Sequence, residues 1–251
     1  MNYYIPKNLL GKSNAKTVKG EKLGFITYIM YLAPAKQNAT GKTVCSHASQ
    51  GCIDACLFKA GRGGFTSVER ARINKTNYLL GDRKGFLNQL RNEIGRMIIR
   101  HEKKGEKICI RLNGTSDLAF EKFKIEDNKS LMELFPDVQF YDYTKNHFRF
   151  NKIMPKNYHL TFSRSEENET MAEQILSQGG NVAVVFDELP DTYKGFKVVN
   201  GDLSDLRFLD EKNVVVGLIY KKIKAKDADH DKIFDSGFGI RKKDLDAVNA
   251  A

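Results

Sequence analysis

The chain has no tryptophan, only five prolines and only four cysteines in 251 residues. Four cysteines in a chain long enough to bury a core of its own do not make the disulfide framework of a small secreted domain. They read first as metal or redox ligands, or as small core residues. Long apolar runs are missing too. Nothing approaches the roughly 20 residues that cross a bilayer. The stretch from Met1 to Gly20 is polar and lysine-rich, with no apolar segment of the kind a secretory signal needs, so the expected location is the cytoplasm. No internal repeat, low-complexity tract or Gly/Ser-rich linker divides the sequence, which favours one domain over residues 1–251. A composition of 41% hydrophobic and 29% charged residues excludes collagen, coiled coil and wholesale disorder. No Gly-x-Gly-x-x-Gly follows a strand-like run, which counts against a dinucleotide-binding Rossmann domain.

What the sequence has in excess is positive charge. Lysine and arginine number 41 against 31 acids, a formal net charge of +10. Such a balance suits anionic partners, either nucleic acid or an anionic small molecule, and no membrane. Basic clusters stand at Lys103-Lys104, at residues 221–226 and at Arg241-Lys242-Lys243; the end segment 1–22 is basic, and the end segment 223–251 carries its basic clusters among an equal number of acids. Most of the lysines are spread evenly, as on any solvated face.

The first apolar element, Leu23 to Leu32, is β-branched and aromatic and reads as a strand. Residues 33–66 follow without a sustained period; they hold Pro34, several glycines and three of the four cysteines, and form a long loop. Thr66-Ser67-Val68-Glu69 has the pattern of a capping box and predicts a helix to about Leu80. Asp82 can cap a second helix reaching about Lys104, with Phe86, Leu90, Ile94, Met97 and Ile98 on one face. From residue 107 to 222 the rhythm is β/α. Strand-like runs stand at Lys107–Leu112, Val138–Tyr143, Tyr158–Phe162, Asn181–Phe186, Phe196–Val199 and Val214–Ile219, with helical patterns at Asn128–Phe135, Asn146–Lys152 and Ser165–Ser177. This alternation predicts right-handed crossovers and a parallel sheet. A complete or partial TIM-like (β/α) barrel is expected, with an open doubly wound sheet as the other arrangement. Strict alternation in several strands, for example Cys109, Arg111 and Asn113 against Ile108, Ile110 and Leu112, suggests a polar barrel lumen.

The sharpest local feature is Cys45-x6-Cys52-x3-Cys56, three thiols within twelve residues of the loop after the first strand. Thiolates bind soft or borderline metals, and one flexible loop can wrap three of them around a single centre. Zinc knuckles prefer paired Cys-x2-4-Cys spacings, and no second knuckle is present. An iron–sulfur cluster held by three cysteines and one non-cysteine ligand fits better, with zinc as the alternative. The fourth position falls to His47, to Cys109 or to an exogenous ligand. Next along the chain, Gly61, Gly63 and Gly64 lead into a helix, where successive backbone N–H groups can cradle an anionic cofactor.

Chemistry in parallel α/β folds gathers at the C-terminal ends of strands. Here those ends carry Arg111, Asn113, Ser116 and Asp117, then Tyr143 and Lys145, then Ser163 and Arg164. These residues are the candidates for a basic catalytic mouth that orients a phosphate, a carboxylate or a nucleic-acid backbone. Ser116, like Ser165, could equally cap a helix.

A strand, a three-cysteine loop and then a run of β/α units resembles the layout of radical S-adenosylmethionine enzymes, although that family's usual spacing is Cys-x3-Cys-x2-Cys. The resemblance implies a [4Fe-4S] cluster on the loop, with S-adenosylmethionine at its open iron. The stretches Cys45–Gly63, Arg111–Leu118 and Tyr141–Lys145 are more closely similar to phage-encoded proteins of the gene-product-eighty-eight type. That likeness implies a phage or prophage origin, hence the host cytoplasm, and supplies no activity. Two functions are therefore expected. One is an iron–sulfur barrel protein, a radical or redox enzyme acting on an anionic or nucleotide-like substrate. The other is a nucleic-acid-binding phage protein with a structural metal site.

Overall fold

The structure is a computed structural model that describes residues 3–12, 19–56, 61–221 and 230–245. Parts of the expected basic segments, including residues 222–226, lie outside the described residues. The chain forms two compact units. Unit 1 comprises residues 1–46, 64–142 and 153–159; unit 2 comprises 47–63, 143–152 and 160–251.

Unit 1 opens with the two-residue strand β1 (Leu10–Gly11), which runs antiparallel to β2 (Phe25–Met30). β2 pairs in parallel with β3 (Lys107–Arg111), and β3 with β4 (Gln139–Thr144), the last of which runs on into unit 2. Two long helices separate β2 from β3: α2 (Thr66–Gly81) and α3 (Arg83–Glu102). Asp82 caps α3 as expected, its Oδ1 accepting from the Gly85 amide at 2.8 Å. The buried side of α3 carries Phe86, Leu87, Leu90, Ile94 and Met97, the stripe that a 3.6-residue period selects. The expected capping box at Thr66 does not form. Phe65 is the extended cap residue, and its own carbonyl accepts from the Val68 and Glu69 amides. A true capping box instead starts the short α4 (Leu131–Leu134), where Ser130 and Glu133 exchange bonds.

Unit 2 is built on β6 (Val182–Phe186), an apolar Val-Ala-Val-Val-Phe run of the kind buried on both faces. On one side β6 pairs in parallel with β9 (Val215–Ile219), which pairs in turn with β8 (Phe196–Asn200). Its other side is shared. The end of β5 (Tyr158–Ser163) lies along the first residues of β6, and β10 (Gly239–Ile240) along the last. The strand β7 (Thr192–Tyr193) makes a hairpin with β8 across Lys194-Gly195, both at positive φ as a tight two-residue turn requires. Helix α5 (Glu169–Ser177) buries Ala172, Ile175 and Leu176 against Phe162, Val182, Val184 and Val215. It starts four residues later than the sequence suggests, because Asn168 folds back to accept from the Ser165 amide and donate to the Ser163 carbonyl. The helical pattern at 146–152 condenses to one 3-10 turn, His147–Arg149.

The strand order is β1-β2-β3-β4-β5-β6-β9-β8-β7, with β10 on β6. Mixed α/β architecture with a mostly parallel sheet is thus as expected. Closure into a barrel is not: among the described residues the end strands β1 and β7 do not pair, and each is an antiparallel two-residue edge. On the polar parity of these strands Cys109, Asn113, Tyr141 and Thr161 are buried, and Arg111, Gln139, Tyr143, His159 and Ser163 are partly exposed.

Candidate functional site

In unit 1 the β3 end is stitched to the chain that follows β2. The Gly114 amide donates to the Met30 carbonyl at 2.9 Å, and Thr115 Oγ1 donates to the Leu32 carbonyl at 2.6 Å. A side chain at 114 would strike the Tyr31 ring at 2.6 Å and the Met30 oxygen at 2.7 Å, so only glycine permits this approach. The Asp117 amide donates to the Val44 carbonyl, and Cys45 Sγ lies 3.7 Å from the Thr115 carbonyl. The first loop cysteine is therefore held against the end of β3.

The expected mouth residues Asn113 and Ser116 sit in this stitch, but inward. Asn113 Oδ1 accepts from Ser116 Oγ at 2.8 Å and from the Leu118 amide at 2.9 Å. Its amide nitrogen donates to the Leu118 carbonyl and to Asp142. Asp142 is completely buried; it also accepts from the Asn113 backbone at 2.7 Å and from the Tyr158 hydroxyl at 2.7 Å. A buried carboxylate holds its place only with such a set of donors. Asn113 and Ser116 thus shape the rim. Arg111 and Asp117 are half-buried and engaged with neighbours.

In unit 2 the helix α1 (Gln50–Asp54) carries Cys52, and Cys56 follows one turn later. Ser49 caps α1 by accepting from the Cys52 amide at 3.2 Å. Glu166, just past β5, grips the same end: it accepts from Ser49 Oγ at 2.8 Å and from the Gly51 amide at 2.7 Å. A carboxylate here satisfies an orphan N–H of the helix start. Gly51 permits the grip, since a Cβ there would stand 2.6 Å from Phe238 Cβ and 2.8 Å from Glu166 Oε1.

The two cations of this rim are tied internally. Lys145 is buried; its ammonium donates to Ser163 Oγ at 2.6 Å and lies over the Phe238 ring at 5.4 Å. Arg164, also buried, pairs with Glu169 and donates to the Gly237 and Phe238 carbonyls, the lead-in to β10. Glu169 in turn accepts from the Tyr193 hydroxyl, whose burial pushes its pKa well above the usual phenol range. Tyr143 is half-buried and engaged. Gly61, Gly63 and Gly64 belong to a single 3-10 turn, Gly61–Gly64, ahead of α2.

The four cysteines differ in setting. Cys45, Cys52 and Cys56 are each partly exposed, whereas Cys109 is fully buried in β3, 3.2 Å from Thr27 Oγ1. Among the described residues no group of three or more His, Cys, Asp or Glu side chains is placed to hold a metal ion. The donor chemistry fits a thiophilic centre; a ready-assembled ligand set is not there. Nor, among the described residues, is any helix long and apolar enough to cross a membrane.

Residues 8–236 match the Gene product 88 family. The chain belongs to that family. No curated protein and no solved structure matches it, and the likeness to radical S-adenosylmethionine enzymes finds no support in these comparisons. The matched region of this Gene product 88 protein takes in the three loop cysteines and all the rim residues named above, and ends just before Gly237 and Phe238. Two organising residues, Asp142 in unit 1 and Glu166 in unit 2, were not among the sequence candidates. An acid between two tyrosines inside a strand was a signal for the first. Glu166 had none, because its partners lie over a hundred residues away in the chain.

Proposed function

We propose that this Gene product 88 protein binds an iron–sulfur cluster through Cys45, Cys52 and Cys56 and serves as a redox protein acting on an anionic substrate. One observation carries the reading: the three thiols of the loop are partly exposed while the fourth cysteine is buried. Cysteines that merely fill a core are inert and enclosed; ligands must be reachable. Glu166 and Ser49 hold the helix that bears Cys52, as residues behind a first ligand shell do. When bound, such a cluster supplies one-electron chemistry. Arg111 and Asp117 in unit 1 and Tyr143 in unit 2 are the half-buried strand-end candidates proposed to meet a substrate.

The test is anaerobic purification, or reconstitution with iron and sulfide, followed by a visible spectrum and metal analysis. The expected product is brown and carries about four irons per chain, as a [4Fe-4S] centre requires. Cys52→Ser should lose the colour and Cys109→Ser should keep it. Because the thiols are not pre-assembled, loading should also protect residues 45–56 from proteolysis. A colourless protein after reconstitution, or one holding stoichiometric zinc and no iron, overturns the cluster.

A further inference from the structure

Two clefts lie along α3 in unit 1, and Arg96 lines both. One of them, of about 430 Å³, has Leu10 and Gly11 of β1 on one side and Tyr28, Glu93, Arg96 and Arg100 on the other, with Lys12 at its edge. That volume suits a small ligand or one segment of a larger one.

The charges of this cleft do not cancel. Glu93 is the acid in its lining, and it is spent: Oε2 accepts from the Leu9 amide at 2.9 Å and Oε1 from the Leu10 amide at 3.2 Å, in a buried position. Lys12 stands 3.7 Å from Glu21, between exposed side chains. Arg96 and Arg100 stand four residues apart, one helical turn, and so share a face of α3. Both are exposed, and among the described residues neither is in an ion pair.

Behind the cations is a fixed hydroxyl. Tyr28 Oη lies 2.8 Å from His101 Nε2, and His101 Nδ1 lies 2.7 Å from Glu106 Oε2, with Tyr28 and His101 both buried. The His101 hydrogen bond, more than the nearby Lys104 and Lys12, holds the Glu106 carboxyl below its ordinary range. Burial raises Tyr28 above the usual phenol value, although Arg100 pulls the other way, so at neutral pH the group in the cleft is a phenol. Two guanidinium forks, with the Lys12 ammonium at the edge, line one space and offer more donors than a carboxylate's two oxygens can take. They match a tetrahedral dianion.

We propose that this cleft between β1, Tyr28 and α3 binds a phosphate group. The phosphate belongs either to a small ligand or to a nucleic-acid backbone, and the two sources separate experimentally. The full-length chain is titrated at low salt with pyrophosphate in one arm and with a short single-stranded oligonucleotide in the other. Arg96→Ser combined with Arg100→Ser should weaken whichever probe binds by roughly tenfold or more, the loss expected for charged hydrogen bonds. Lys197→Ser combined with Lys221→Ser removes the same charge from residues that do not line the cleft and should leave affinity within about twofold, as for solvent-screened charges. Tight pyrophosphate binding with shallow salt dependence identifies a small ligand. Oligonucleotide binding that falls steeply with salt identifies the backbone. Failure of both probes at low salt, or equal losses in the two double variants, overturns the site.

Discussion

The molecule has two basic regions that look alike in the sequence and differ in the structure. At the strand ends of unit 2, Lys145 and Arg164 are buried, and acceptors from their own chain take up their donors: Ser163, Glu169 and the carbonyls of Gly237 and Phe238. Along α3 in unit 1, Arg96 and Arg100 are exposed and unpaired among the described residues. The first pair holds the fold together. The second has donors to spare for something outside the chain. A cation's role is set by whether its own chain supplies acceptors, and local sequence does not show that.

Substitutions can break this contrast. The largest effect is expected at Arg164. Arg164→Met strands two carbonyls and part of Glu169 and should cost about 3–5 kcal/mol in urea unfolding, the range for breaking a buried charged pair. An unchanged midpoint would show the region to be no more structural than α3. Asp142→Ala leaves Asn113 and Tyr158 donors without an acceptor, and about 3 kcal/mol should disappear from the same measurement. Gly51→Ala pushes a methyl into Phe238 and Glu166 and should cost about 1–3 kcal/mol, as overpacking does.

Glu133 gives an intermediate case. Its bonds from Lys124 and Ser130 lower its pKa to about 2 in the folded state, against about 4.3 when unfolded. Its contribution is therefore complete above the unfolded value and lost as pH falls from there toward about 2. Glu133→Gln should flatten the acid limb of a stability–pH curve, only slightly, because both partners are half in solvent. Smallest of all, Arg96→Ser with Arg100→Ser should change stability by no more than about 0.5 kcal/mol while changing phosphate affinity. A large stability loss there would erase the contrast between the two regions.

Much of the fold was legible because it is local. Helix α3 follows from its apolar period and Asp82, and the parallel strands stand within a residue or two of their apolar runs. Barrel closure was not legible. It depends on whether the ends of the sheet meet, and β1, β7 and β10 are two-residue strands that leave no periodic trace. The strand alternation left this open for a similar reason. Cys109, Asn113, Tyr141 and Thr161 fall on one parity whether that side is a lumen or a second packed surface.

By itself, then, the sequence determined the element types, the parallel α/β class, the family and the cluster of three thiols, since each rests on neighbouring residues or fixed spacings. Only the tertiary structure decided which polar residues have anything left to offer. Asn113, Ser116, Lys145 and Arg164 were candidate mouth residues until distant partners took up their hydrogen bonds. Arg96 and Arg100 were ordinary surface arginines until the acid that lines their cleft, Glu93, proved to be committed to the amides of Leu9 and Leu10. The physical reason is the same in both places. A buried donor or acceptor must be satisfied, and the group that satisfies it is chosen in space, not along the chain.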